Sequence, residues 1–352
     1  MAREHVALLV EAGIQRRDAA ATWEDVPSTP NFAIAQGGEG SFLGQLSPAL
    51  ISYMTSARRF PPVLLATCPV PWTESGEFEE GLFRTSVARL SRDLTPHLYV
   101  FGTAGEGHAV SDRQFEQIVR AFQSELTDRS QGMIGVISLS LSTIIERIEF
   151  GRSLGFRQFQ LSLPSWGALN DRELAIFFRE TCGRFSDCSF LHYNLGRSRR
   201  ILRGSEYVLL AQVHPNLVAV KMGGADLAAQ ADVATSAPEI QCFFTEMSYA
   251  ELRPQFECGF LASIATIHHA RCREYHAARG PKLATMRDEL REIHRAMKAI
   301  VGDEAHMDGA FDKLFVKIHD HAFPLRLLPP YVSTSDASFE RFRAAITPAW
   351  KA

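Results

Sequence analysis

No apolar stretch among the 352 residues approaches the roughly 20 needed to cross a bilayer, so a membrane-spanning helix is not expected. The opening MAREHVALLVEAG lacks a long apolar core followed by a small-residue cleavage site, which favours a cytoplasmic location. Charge of one sign is not in excess. Thirty-seven basic residues face 40 acidic ones, a net charge of -3, which gives nucleic acid or an anionic membrane nothing to bind. The six cysteines (Cys68, Cys182, Cys188, Cys242, Cys258, Cys272) form no CxxC pair, and runs such as IQCFFTE and CSFLHYN suggest buried free thiols rather than disulfides or zinc. His268 and His269 have no acidic or histidine partner at metal-ligand spacing, and no GxxxxGK phosphate loop exists, so no metal or nucleotide is expected.

What is present is alternation. Eight short runs rich in β-branched or aromatic residues occupy 62–68, 97–102, 133–138, 156–163, 188–194, 217–221, 240–246 and 260–266. Stretches of helical period separate them, such as SDRQFEQIVRAFQSEL, whose first residues are a helix-start signal. Parallel βα units follow from that rhythm. PVPWTESGEF after the first run has no glycine fingerprint, so an α/β fold closed as a (β/α)8 TIM barrel is expected over an open doubly wound sheet. The predicted organisation is an N-terminal extension over 1–60, the barrel over 61–275 and a C-terminal helical appendage over 276–352.

In such a barrel the chemistry sits at the carboxyl ends of the strands. The second run ends in Gly102-Thr103-Ala104, the fifth in Tyr193-Asn194 and the sixth in Lys221. A lysine there, with apolar strand neighbours, loses solvation as an ammonium, so its pKa is expected to fall and its neutral amine could attack a ketone to form a Schiff base. The alternative is a lysine that merely ends a strand in water. Tyr193, one strand away, suits a proton relay, or else a tyrosine packed into the barrel top. The glycine-rich turn from Gly102 offers backbone N–H groups and the Thr103 hydroxyl to a small carboxylate.

Taken together these segments resemble the pyruvate-dependent class I lyase and aldolase family that includes dihydrodipicolinate synthase and N-acetylneuraminate lyase. CPVPWTESGEFEE is similar to the family's TPF-x-x-x-G-x-(V/I)-D segment, FGTAGEG to its GTTGE turn, HYNLGRS to its YN-x-P element and VAVKMGGAD to its lysine segment. GFLASIAT, containing Ile264, is a loose version of its G-A-x-G-x-I-S strand. The resemblance implies that Lys221 forms the Schiff base, Tyr193 relays protons, and Thr103 with the adjoining backbone at Gly102 and Ala104 binds the carboxylate of a 2-oxo acid. It also implies a covalent mechanism with no separate cofactor, an aldehyde as the second substrate, and assembly as a homotetramer or homodimer.

Departures from the family pattern bear on the substrate. Ala104 replaces the second threonine of GTTGE, removing a hydroxyl and interrupting the threonine-to-tyrosine relay drawn for dihydrodipicolinate synthase. Ser198 stands where that synthase has an arginine for a second carboxylate. Trp166 fills a tyrosine position and could stack on an aromatic substrate, as in the family's hydratase-aldolases. Thr245, Glu246 and Ser248, after the seventh run, are further candidates for substrate contact. RSRRILR at 197–203 reads as a solvated basic surface. Three readings stay open: a Schiff-base lyase or aldolase, a dehydratase or hydratase-aldolase on the same lysine, and a descendant that binds a small acid without turnover.

Overall fold

The computed structural model describes residues 58–351. Apart from its last three residues, the expected N-terminal extension lies outside the described residues. Eight parallel strands follow in the anticipated order: β1 Leu64–Cys68, β2 Leu98–Val100, β3 Gly132–Gly135, β4 Gln158–Leu161, β5 Ser189–Asn194, β6 Leu217–Met222, β7 Gln241–Phe244 and β8 Gly259–Ala262. Each pairs with the next, and β8 pairs with β1 through Leu64 opposite Phe260, closing a (β/α)8 TIM barrel. The closure leaves no strand edge open.

Alternation divides the strand residues between two cores. Outward positions such as Ala66, Val100, Ile134, Phe159, Phe190, Val220 and Phe244 pack against the helices. Inward positions Leu65, Tyr99, Met133, Leu191, Ala219, Phe243 and Leu261 fill the barrel, with Phe60 among them and its ring 5.8 Å from that of Phe243. A register shift between Phe190 and Leu191 leaves Val218 as an extra residue on β6, so that Val218 and Ala219 both join the inner core. Two positions beyond Ala219, Lys221 again faces inward at the mouth. All six cysteines are buried and free.

The outer layer comprises α1 Glu80–Asp93, α2 Asp112–Glu125, α3 Leu141–Ser153, α4 Asp171–Phe178, α5 Gly204–Val213, α6 Leu227–Ser236, α7 Glu246–Leu252 and α8 His269–Ala277. Capping boxes start two of them: Ser111 with Gln114 at α2, and Asn170 with Glu173 at α4. The chain then becomes wholly helical, with α9 Gly280–Val301, α10 Asp308–His319 and α11 Asp336–Ala345. None of the described helices is long and apolar enough to cross a membrane.

A buried ion pair joins this helical region to the barrel. Lys313 on α10 lies 2.7 Å from Oε1 of Glu106, on the turn after β2, and neither side chain reaches solvent. Glu106 also accepts from Trp72 Nε1 at 2.8 Å and from the Leu328 backbone N–H at 2.7 Å, while Lys313 donates to the Arg326 carbonyl. Burial pulls the Lys313 pKa down to about 8, with Glu106 opposing the fall. Removing one partner of such a pair strands the other charge. Lys313→Met is therefore expected to cost about 3–5 kcal/mol, read as a lower guanidinium midpoint, and an unchanged midpoint would show that the pair contributes nothing.

Candidate active site

Pairing between β5 and β6 sets Tyr193 directly beside Lys221. Both side chains are buried and line a cavity of about 420 Å3 at the carboxyl end of the barrel. The Lys221 ammonium lies over the Tyr193 ring, 3.8 Å from its centroid, and donates to the Tyr99 hydroxyl at 3.1 Å. Lysine therefore does not end its strand in water. Burial pulls its pKa down, the phenols of Tyr193 and Tyr99 push it up, and the push prevails, so the group sits above the ordinary lysine range. The expected fall counted desolvation and left out the two aromatic neighbours.

Tyr99 did not stand out in the sequence because it sits inside the strand run LYV. Its inward face becomes evident only with the barrel register. Burial raises its pKa to about 12, so it remains a neutral phenol beside the lysine. Its hydroxyl also explains Gly102, because a Cβ at position 102 would lie 2.1 Å from that oxygen. Gly102 thus makes room for the phenol and does not itself line the cavity.

Thr103 and Ala104 line the cavity together with Thr67, Thr245, Ser263 and Ile264. The turn bearing them is held by backbone bonds from Glu106 to Thr103 and from Gly107 to Gly102, each 3.2 Å. Glu246 also reaches the cavity. Its Oε1 accepts from the backbone N–H of Ser263 at 2.7 Å and of Ala265 at 3.1 Å, and burial raises its pKa.

Besides Gly102, three expected substrate contacts are not brought into the lysine cavity. Trp166 lies beyond Ser162, Leu163 and Ser165, which face a neighbouring cavity of about 270 Å3, and is 85% exposed. Ser198 lines that neighbouring cavity, with its hydroxyl 2.7 Å from the Leu195 carbonyl and 2.9 Å from that of Arg200, so it serves its own loop. Ser248 is buried within α7, whose turn carries it away while Thr245, Glu246 and Met247 face the lysine cavity.

Other lining residues were not among the expected substrate contacts. Arg197 lines both cavities and pairs with Asp308 at 3.0 Å, so the basic run is only partly a solvated surface. From the C-terminal helices come His294, Met297, Lys298, Asp308, Phe311, Asp312 and Phe315. Asp312 accepts from the Ser263 hydroxyl at 3.2 Å, and its burial raises the pKa to about 8. Among the described residues, no group of three or more His, Cys, Asp or Glu side chains is arranged to hold a metal.

The family model for the dihydrodipicolinate synthetase family matches residues 62–299. The chain belongs to that family. It is a divergent member, 21% identical over 169 residues to a 4-hydroxy-tetrahydrodipicolinate synthase of Exiguobacterium sibiricum, of whose length the match spans 57%. Solved structures of similar fold include YagE, a prophage protein of E. coli K12 in complex with pyruvate (TM-score 0.71, 13% identity, 80% of this chain and 96% of that one). KD(P)GA from T. tenax is also similar (TM-score 0.69, 18% identity, 81% and 97% coverage), as is CdNal from Clostridium difficile in complex with mannosamine (0.68, 15%, 80% and 97%). At these identities the likeness is one of fold.

The hydrogen bond to Tyr99 yields a pH prediction. Tyr99→Phe removes a contribution that raises the Lys221 pKa, so the neutral amine should become available at lower pH. Peptide mass analysis after graded acetylation with acetic anhydride should show the Lys221 labelling profile displaced to lower pH. An unmoved or upward-moved profile would contradict the assignment.

Proposed function

We propose that this protein is a Schiff-base-forming lyase or aldolase that acts on pyruvate or a related 2-oxo acid. The observation that carries this reading is Lys221, a buried amine at the barrel mouth between two phenols and open to a cavity. Attack of the neutral amine on the 2-oxo carbon, uptake of one proton and loss of water give a protonated imine. That imine draws electrons from the neighbouring carbon, so a C–H or C–C bond there breaks to leave an enamine. Tyr193 and Tyr99 stand at the nitrogen to pass protons as carbinolamine becomes imine. Thr103 and the turn following Gly102 would receive the carboxylate.

Family membership and the likeness to YagE, solved in complex with pyruvate, support this class of chemistry. Synthesis of dihydrodipicolinate itself is not favoured, because Ala104 lacks the relay hydroxyl and Ser198 offers no cation for a second carboxylate. The raised pKa of Lys221 implies that adduct formation accelerates as pH rises, since the neutral fraction does the attacking.

Borohydride reduction in the presence of pyruvate or other 2-oxo acids tests the reading. Intact mass should increase by the reduced adduct in wild type and not in Lys221→Ala. If no 2-oxo acid leaves an adduct on folded wild-type protein, the catalytic reading gives way to a protein that binds a small acid without turnover.

A further inference from the structure

Asp312 has a place in the fold that the Schiff-base chemistry above does not use. It projects from α10 into the lysine cavity, one residue before Lys313, whose ion pair with Glu106 pins that helix to the barrel. One carboxylate oxygen accepts from Ser263 at 3.2 Å, and the other has no hydrogen-bond partner among the described residues. We propose, resting on the reading of Lys221 above, that Asp312 is a second catalytic residue, a proton donor and acceptor for the C4 hydroxyl of a 4-hydroxy-2-oxo acid.

The step balances. In condensation the enamine carbon C3 attacks an aldehyde, forming the C3–C4 bond. The carbonyl π pair moves to oxygen, which takes the Asp312 proton to become the C4 hydroxyl. The enamine nitrogen pair becomes the protonated imine, and water then releases product and lysine. Deprotonation of C3 releases one proton to solvent and solvent returns one to Asp312, so none is consumed overall. Cleavage runs the same steps backward, with Asp312 ionised and accepting the hydroxyl proton.

The surroundings suit that exchange. Lys221 faces Asp312 from β6, Tyr99 from β2, Glu246 from the start of α7, and Asp308 lies one turn earlier on α10. Burial and the acids favour the protonated form, while Lys221 and the Ser263 hydroxyl favour the ionised one, and the balance lies near neutrality. Glu246 is less free to act, because Oε1 is committed to two amides. Behind Asp312 a crevice of about 20 Å3, room for a single water, is lined by Arg89, His269 and His319. His269 is held down to about 3 by burial and stays neutral, so the crevice offers Asp312 a path for proton exchange with little competing positive charge from that ring.

The test compares wild type with Asp312→Asn and Asp312→Ala, using pyruvate as donor and glyceraldehyde, glycolaldehyde and benzaldehyde as acceptors. Borohydride trapping and deuterium exchange of the pyruvate methyl group report on the imine and enamine, and should be retained in both variants. Condensation kcat should fall about 10²- to 10⁴-fold. In wild type that kcat should also decline as pH rises through about 8, and this limb should vanish in Asp312→Asn. Failure of wild type to trap pyruvate or any other 2-oxo acid would sink the lysine reading itself. With trapping intact, three outcomes overturn the role of Asp312: condensation undiminished in the variants, trapping lost along with condensation, or no condensation by wild type with any of the three aldehydes.

Discussion

The mouth of this barrel depends on one buried contact, the ion pair between Glu106 and Lys313. Glu106 adopts a positive φ of 54°, a backbone conformation that costs a non-glycine residue on the order of 1–3 kcal/mol. The cost is offset by what its carboxylate gathers: an indole N–H from the loop after β1, an ammonium from α10 and a backbone N–H from the chain after α10. Three segments distant in sequence are thereby fixed against the turn that bears Thr103 and Ala104. Two charges removed from water are tolerable only when their remaining hydrogen-bonding capacity is met, and here Lys313 also reaches the Arg326 carbonyl. Because Asp312 and Lys313 are adjacent, the contact that joins α10 to the barrel also sets a carboxyl beside the lysine cavity.

Below the mouth, packing of the inner core determines what the lysine experiences. Gly102 has no side chain, so the Tyr99 hydroxyl lies across it and meets Lys221 from beneath, while Tyr193 covers it from the neighbouring strand. A lone buried lysine would tend towards its neutral form. Between two phenols the balance reverses, and it is held in its protonated form.

The barrel itself was legible in the sequence because β-branched runs and helical periods alternate without interruption, and strand closure adds no residue-level signal beyond them. Lys221 and Tyr193 were legible because each ends such a run. Tyr99 was not, since LYV carries no mark of which face turns inward until register is known. Asp312 and Asp308 were hidden for another reason: they lie on a helix of ordinary amphipathic pattern far along the chain, and long-range contacts, the Glu106 pair and core packing of Leu314 and Phe315 among them, fold that helix across the mouth. Trp166, Ser198 and Ser248 were assigned by position in loops and helix starts, where a turn of one or two residues changes the direction of a side chain. Strand ends offer no such freedom.

The substitution at Ala104 gains meaning from this inventory of protons. Around Lys221 the remaining polar groups in the cavity include the hydroxyls of Thr67, Tyr99, Thr103, Tyr193, Thr245 and Ser263. A neutral hydroxyl passes a proton only while taking up another, so a chain of them conducts but does not store. An aldol step needs storage, because the oxygen at C4 gains its proton at a different moment from the one at which C3 loses its own. A carboxyl whose pKa lies near 8 holds a proton at neutral pH and releases it at small cost. With one threonine hydroxyl of the usual turn absent, the C-terminal helix packed against that turn supplies such a group, hydrogen-bonded to Ser263 and facing the lysine whose positive charge restrains the carboxyl from becoming a weaker acid still.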